Sequence, residues 1–195
     1  MCFFQKLDKK PQQIEQKFNA QFKFFQEYQP KTIINGFDFP QTPVIKNTDI
    51  FTIEMLGWGL IPHWANTEWN KAFTLNARSE TLHDKPAFKN VAQNRCLVLT
   101  NGFYEWQHQG KHKTKFEIGF DDKLFAFGGI YDNHTYSIVT TEARGIMREI
   151  HNTKLRMPIA LKTEEEMMAW LKGEELDGRE DFKATPMDPL QLTLF

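Results

Sequence analysis

Cysteine is scarce in this chain. Cys2 and Cys96 are the only two, they lie far apart, and a reducing cytosol would not keep a bridge between them, so neither is read as a staple. Long apolar runs are lacking as well. The start, MCFFQKLDKK, meets charge at Lys6, too early for a signal peptide. No stretch approaches the roughly 20 residues of a membrane span, which leaves a cytoplasmic protein as the expectation. No Ser/Gly-rich or Pro-rich linker, internal repeat or low-complexity tract divides the 195 residues, and one domain is expected. The phosphate-cradling GxxxxGK[ST] loop and the GxSxG elbow are both missing. His108 and His112 are four apart, but Gly110 breaks any helix that would join them, so neither metal nor cofactor is expected.

A surplus of one charge is also lacking, with a formal net charge of −1, yet the charge is unevenly placed. Lys71 to Lys115 holds eight Lys/Arg against three Asp/Glu, and Glu164 to the end holds nine Asp/Glu against three Lys/Arg. Two ordinary solvated faces account for this, while the basic segment permits a phosphate-binding groove. What the chain has in plenty is aromatic side chains, 18 Phe and 5 Trp within a 41% hydrophobic composition, and these predict an aromatic-rich globular core.

Ile14, Phe18, Phe22 and Phe25 recur at helical spacing after Pro11 and predict an amphipathic helix over about 12–28. Lys31 to Val44, with Gly36, Pro40 and Pro43, predicts extended chain and turns. Strands are expected at Phe51–Met55, Arg95–Leu99, Lys115–Phe120, Leu124–Gly128 and Tyr136–Thr140. The third and fourth would be joined through an Asp121-Asp122-Lys123 turn in hairpin-rich β structure. A helix is placed over Glu142–Ile150, and a second one carries Met167, Met168, Trp170 and Leu171. Thr163 and Glu166 would cap this last helix at its start and Gly173 would close it. Strands in the middle and helices at the flanks give α+β with largely antiparallel sheets.

Several residues invite chemistry. Cys is small enough for the initiator Met to be removable, and Cys2 would then carry a free α-amine beside its thiol. Such a 1,2-aminothiol captures an aldehyde as an imine and closes onto it as a thiazolidine. Taken alone, Cys2 is better read as just a small residue at position two. Glu105, between Tyr104 and Trp106, is either desolvated and tuned for proton transfer or an outward residue of an alternating strand. His151 is a second acid/base candidate, or a hydrogen-bonded structural imidazole. Asn76 and Arg78 follow the aromatic stretch Trp58 to Trp64, where Arg78 offers a fork for phosphate, Asn76 can bond a sugar or carbonyl, and Trp64 can stack on unpaired bases. Core packing is the alternative for Trp58 and Trp64, and Cys96 reads as a buried strand residue.

In order along the chain, the motifs are Met1-Cys2, Trp58-Gly59-Leu60-Ile61-Pro62, Asn76-Ala77-Arg78-Ser79-Glu80-Thr81 and Arg95-Cys96-Leu97 leading to Gly102-Phe103-Tyr104-Glu105-Trp106. After them come Phe127-Gly128-Gly129-Ile130-Tyr131, Thr140-Thr141-Glu142-Ala143, and Ile150-His151 with Arg156-Met157-Pro158. The chain resembles the SRAP family, the SOS response-associated peptidases or abasic-site processing proteins, over residues 1 to about 161. The resemblance implies a compact α+β fold with a barrel-like β core and a basic groove for single-stranded DNA that ends at the N-terminal Cys. It implies a covalent thiazolidine between Cys2 and the ring-opened abasic sugar, with autoproteolysis removing Met1 and with lyase or crosslink-reversal chemistry. Asn76 would then position the residue or sugar, Glu105 and His151 would move protons, and Arg78 and Arg156 would hold phosphates. Pro40 would sit near the DNA junction. The chain departs from the family pattern in having Phe3-Phe4 where Gly-Arg is common, and in spacing Arg156 five residues rather than two beyond His151.

The end, Gln191-Leu192-Thr193-Leu194-Phe195, follows Pro186 and Pro189 and looks like the bacterial sliding-clamp-binding pentapeptide, with Gln191 at the rim and Leu192, Leu194 and Phe195 entering an apolar cleft. A terminal strand packed on the domain is the equal alternative. The expected organisation is a domain over 1–185 and a tail over 186–195. The expected protein is a nucleoid-associated monomer that takes single-stranded DNA containing abasic sites, with the clamp as a second partner. A general cysteine peptidase and a non-catalytic single-strand-binding module are the competing readings.

Overall fold

Every residue of the run Arg95–Thr100 is buried, as is every residue of Phe125–Asp132, and uninterrupted burial of this kind requires strands covered on both faces. The computed structural model describes residues 2–66 and 68–187. Met1, Thr67 and the tail residues 188–195, including Pro189, Gln191, Leu192, Leu194 and Phe195, lie outside the described residues. In chain order the strands are β1 (Phe4–Leu7), β2 (Gln21–Phe22), β3 (Lys31–Asn35), β4 (Gln41–Lys46), β5 (Asp49–Trp58), β6 (Asn76–Arg78) and β7 (Arg95–Thr100). They continue as β8 (Gly102–Gln109), β9 (His112–Gly119), β10 (Phe125–Asp132), β11 (Thr135–Glu142), β12 (Arg156–Pro158), β13 (Ala160–Leu161) and β14 (Lys183–Pro186). The helices are α1 (Pro11–Phe18), α2 (Met147–Ile150) and α3 (Glu164–Leu171).

The fold is α+β, mostly antiparallel sheet with few helices. One sheet runs β14-β9-β8-β1-β3. The other runs β12-β11-β10-β7-β4-β5-β2, and a short parallel pairing of β11 with β5 returns the path on itself, so β11, β10, β7, β4 and β5 form a ring. Closure at this pairing covers the edges of β11 and β5 where they meet, and the short strands β12 and β2 flank the rest of those edges. The core is aromatic-rich as the composition predicts: Phe127 of β10 meets Phe125 and, from β8 of the other sheet, Phe103 edge to face, and Trp58 stacks on Tyr136. α3 lies against β7, β10 and β13. Its Trp170 donates Nε1–H toward the Cys96 carbonyl at 3.1 Å and fills the place where Gly128 has no side chain.

Helix α1 stops a full turn and more before the periodicity does. Asn19 adopts the left-handed conformation at φ 50°, which ends the helix, and the Glu15 carboxylate accepts the Phe22 amide at 3.0 Å, turning the chain into β2 beside β5. Phe22 is therefore buried on Tyr28 rather than along a helix stripe, and Phe25 stands 58% exposed in a single 3₁₀ turn. The region expected to be helical over Glu142–Ile150 begins as the end of β11 and is helical only at Met147–Ile150. The Asp121-Asp122-Lys123 turn exists but makes no hairpin. β9 is already flanked by β8 and β14, so the chain leaves that sheet here and enters the ring as β10. Both aspartates sit at positive φ, Asp121 paired with Lys183 and Asp122 with Lys6 and Lys9. The cap of α3 is as the sequence predicts, with Thr163 accepting the Glu166 amide, the Glu166 carboxylate accepting the Thr163 amide, and Gly173 following at φ 92°. β14 carries its ladder with β9 to Pro186, and the Met187 amide continues it to the Lys115 carbonyl.

Among the described residues no helix is long and apolar enough to cross a membrane. Cys2 and Cys96 are both free thiols inside the fold.

Candidate functional site

β1, paired on both sides within its sheet, is the strand that brings the chain's second residue indoors. It is hydrogen-bonded to β8 on one edge, with Phe4 opposite Tyr104, and to β3 on the other, with Phe4 opposite Asn35. Cys2 precedes it and is fully buried, with its Sγ–H 3.8 Å from the Phe4 carbonyl. Burial, and after it the nearby Glu105 carboxylate, pushes the Cys2 thiol well above its usual range, so the sulfur is held as S–H rather than thiolate.

Three further elements converge on this residue. β6 runs parallel to β11, and its first residue, Asn76, donates Nδ2–H to the Cys2 carbonyl at 2.9 Å. The Asn76 Oδ1 is buried, and no donor reaches it among the described residues. β8 supplies Glu105. Alternation along β8 left the facing of this carboxylate open, and the structure decides it: Glu105 is 6% exposed, on the inside. Desolvation raises its pKa to about 7. The turn after α2 supplies His151, whose Nε2 stands 3.8 Å from Glu105 Oε2.

That approach resembles an ion pair in distance, yet desolvation also lowers His151 to about 4. Near pH 6 the two groups therefore rest neutral, with the proton on the carboxyl group and a lone pair on the imidazole. The tautomer follows from the other side of the ring. His151 Nδ1 lies 2.7 Å from the Arg156 carbonyl oxygen, which can only accept, so Nδ1 carries the hydrogen and Nε2 carries the lone pair. The Arg156 amide, 3.1 Å from the same Nδ1, would favour the opposite tautomer, and the shorter contact to an oxygen that can only accept decides between them.

Arg156 itself is turned inward. Its guanidinium grips the Glu80 carboxylate at 2.6 and 2.9 Å, donates to the Thr140 carbonyl at 2.6 Å, and leaves the residue 8% exposed. This is a fork-to-fork pair that fixes the strand from which His151 takes its tautomer, and little of the guanidinium is left to meet a phosphate. The pair also lowers the Glu80 pKa. Arg78 is placed differently, exposed at the end of β6 beside a groove of about 440 Å³. The groove starts at Asn76 and is walled by Trp64, Trp69, Phe73, Lys85 and Phe88. Trp64 is 50% exposed and meets Trp69 edge to face, whereas Trp58 is wholly core and donates to the Leu75 carbonyl. Pro40 is half-buried, and its carbonyl accepts the Trp58 amide at 2.8 Å.

Sequence reasoning named Cys2, Asn76, Glu105 and His151 separately, and the fold brings them together. It missed Glu80 as the partner of Arg156, and Trp69, Phe73, Lys85 and Phe88 as groove walls. The close spacing of Trp64, Trp69 and Phe73 was the available signal for the groove. Nothing local marks Glu80, which lies 76 positions from Arg156. Among the described residues no group of three or more His, Cys, Asp or Glu is placed to hold a metal ion.

Comparison with known proteins gives the chain's family and its fold neighbours. The family model described as SOS response associated peptidase (SRAP) matches residues 1–193. The chain is 38% identical over 135 residues to the abasic site processing protein YoqW of Bacillus subtilis, an alignment covering 63% of this chain and 58% of that protein. It is 31% identical over 160 residues to the abasic site processing protein HMCES of Gallus gallus, covering 65% of this chain and 47% of that one. The chain thus spans about half the length of the curated relatives it matches. A crystal structure of a protein from Bacteroides thetaiotaomicron superposes with a TM-score of 0.87 at 29% identity, covering 98% of this chain and 94% of the other.

Proposed function

The chain belongs to the SRAP family, and from that premise we propose that it processes abasic sites in single-stranded DNA by bonding covalently to them through Cys2. The observation that carries the reading is that the Asn76 amide holds the Cys2 carbonyl while the Glu105 carboxyl group, which acts on the Cys2 thiol, stands 3.8 Å from His151 Nε2. Its relatives carry the name of abasic site processing proteins.

Hydrolytic removal of Met1 exposes the α-amine of Cys2. Asn76 holds the Cys2 carbonyl through Nδ2, and its buried Oδ1 is an acceptor suited to an N–H of the new amine or a sugar hydroxyl. The amine adds to the aldehyde of the ring-opened sugar, and His151 Nε2 takes a proton from the nitrogen and passes it to the former carbonyl oxygen, giving the carbinolamine. Glu105, carrying a proton near neutral pH, gives it to the departing hydroxyl, so water leaves and the iminium forms. Sγ then adds to the iminium carbon and passes its proton to the Glu105 carboxylate, which leaves both groups as they began. The amine and the thiol each lose one hydrogen, the carbonyl oxygen leaves as one water, and nothing is oxidised or reduced. Because burial keeps Sγ protonated, the ring-closing step needs the carboxylate that the preceding step created.

Arg78 and the aromatic walls beside it suit a single strand, the guanidinium for phosphate and the rings for bases. Arg156 serves as a positioning residue. The buried, protonated thiol weighs against a general cysteine peptidase, whose nucleophile is a thiolate. Intact-mass measurement after incubation with an abasic oligonucleotide tests the reading. Protein without Met1 should gain the mass of the oligonucleotide less one water, and Cys2→Ala should gain nothing. Reversible, salt-sensitive binding without an adduct would leave only a single-strand-binding module.

A further inference from the structure

The residue following Cys2 carries an aromatic ring, and the structure puts a second ring on top of it. Phe3 and Phe37 have centroids 4.8 Å apart at 34°. Phe3 is half-buried while Phe37 is 48% exposed, so the stack has one face against the protein and one toward solvent. This is a built ledge, not a loose side chain. The Gly36 amide donates to the Phe3 carbonyl at 2.8 Å, and a Cβ at position 36 would come within 3.1 Å of the Trp58 ring and 3.2 Å of that carbonyl, so glycine lets the turn lie this close without crowding either. The Asn35 side chain accepts the Phe37 amide at 3.1 Å and sets the 3₁₀ turn that displays the ring. The aromatic character continues past the turn, where the Lys71 ammonium lies 4.4 Å from the centre of the Phe39 ring.

Resting on the reading above, we propose that the Phe3–Phe37 ledge is a base-stacking platform. It takes the nucleobase that neighbours the abasic sugar and so makes that flanking base a determinant of which lesions react. Phe3 is covalently next to the nucleophile, its Cα about 3.8 Å from that of Cys2. A strand bonded at Cys2 must bring its adjacent nucleotide over the first surface beyond it. Position 3 offers no cation there, only carbon, and a flat ring held at 48% exposure suits a π face better than a phosphate. Every base has such a face, but purines cover more of a ring than pyrimidines do. The ledge therefore favours a lesion next to adenine or guanine over one next to thymine or cytosine.

The test measures adduct formation by the full chain with abasic oligonucleotides in which the neighbour on each side of the lesion is adenine, thymine or a base-free tetrahydrofuran spacer. With the wild type, adenine on one side should react about tenfold faster than the spacer, the ratio expected for the loss of one stacking contact. Phe37→Ala should bring both to the spacer rate, and Phe37→Trp should restore the difference. A short-chain aldehyde, which has no base to stack, should react equally with all three proteins. The proposal is overturned if Phe37→Ala slows base and spacer substrates alike or leaves the tenfold ratio intact. Failure of the underlying reading has a separate signature, the wild type forming no adduct with any oligonucleotide.

Discussion

Glu105 and His151 face each other across 3.8 Å with their proton affinities exchanged: the carboxyl group holds its proton up to about pH 7 and the imidazole releases its own above about pH 4. Desolvation is the leading cause of both shifts. A neutral pair costs less to bury than an ion pair, and it leaves one ready acid and one ready base beside the same thiol.

The exchange has a consequence for stability against pH. Glu105 binds its proton more tightly folded than unfolded, about 7 against an ordinary 4.5, so its contribution falls as pH rises across that window. His151 binds its proton less tightly folded, about 4 against an ordinary 6.5, so its contribution rises with pH across that window. In the overlap the slopes oppose each other. Urea unfolding between pH 4.5 and 6.5 should give a flat profile from this pair in the wild type, a rising one in Glu105→Gln and a falling one in His151→Asn. Parallel profiles in all three proteins would count against the exchanged protonation.

Arg78 and Arg156 should separate cleanly in their dependence on salt. Arg78→Ala should lower the slope of log affinity against log salt for single-stranded DNA by about 0.7, the amount for one phosphate contact. Arg156→Ala should leave that slope unchanged and instead destabilise the fold. The cost should be somewhat below the roughly 3–5 kcal/mol of a fully buried pair, because the Glu80 side chain is 49% exposed. A lowered slope in Arg156→Ala would return that residue to the DNA.

Asn76→Asp keeps an acceptor at the site and loses the donor to the Cys2 carbonyl. Adduct formation should slow on the order of tenfold while the melting temperature changes little. An unchanged rate would mean that β1 alone positions residue 2.

Gly128→Ala probes the packing behind the ring of strands. Its Cβ would fall 2.8 Å from the Trp170 indole, which cannot withdraw without leaving the Cys96 and Gly129 carbonyls. Thermal unfolding should show a loss of about 1–3 kcal/mol. Neutrality at this position would mean that α3 can shift on β10.

The sequence made some of this plain and hid the rest for identifiable reasons. The strands β7 and β10 were legible because burial on both faces writes itself as a largely apolar run, and β11 because it is rich in β-branched and aromatic residues. α3 was legible because Thr163 and Glu166 form a local cap. α1 was read too long because Phe22 continues the period, although Asn19 had already turned the chain away. The inward facing of Glu105 was undecidable, since alternation separates two faces without saying which one is covered. Cys2, Asn76, Glu105 and His151 were each found through motif, but their meeting is tertiary, as is the hold of Glu80 on Arg156. The ledge at Phe3 and Phe37 was visible only as a departure from the family's Gly-Arg.

The placement of β1 between β3 and β8 also bears on force. Anything bonded to Cys2 hangs from a strand whose hydrogen bonds to both neighbours lie across the direction of pull. On the proposed covalent reading, a pull on attached DNA directed along β1 would load those bonds together in shear, not peel them singly from an edge, and β1 would serve as a mechanical anchor.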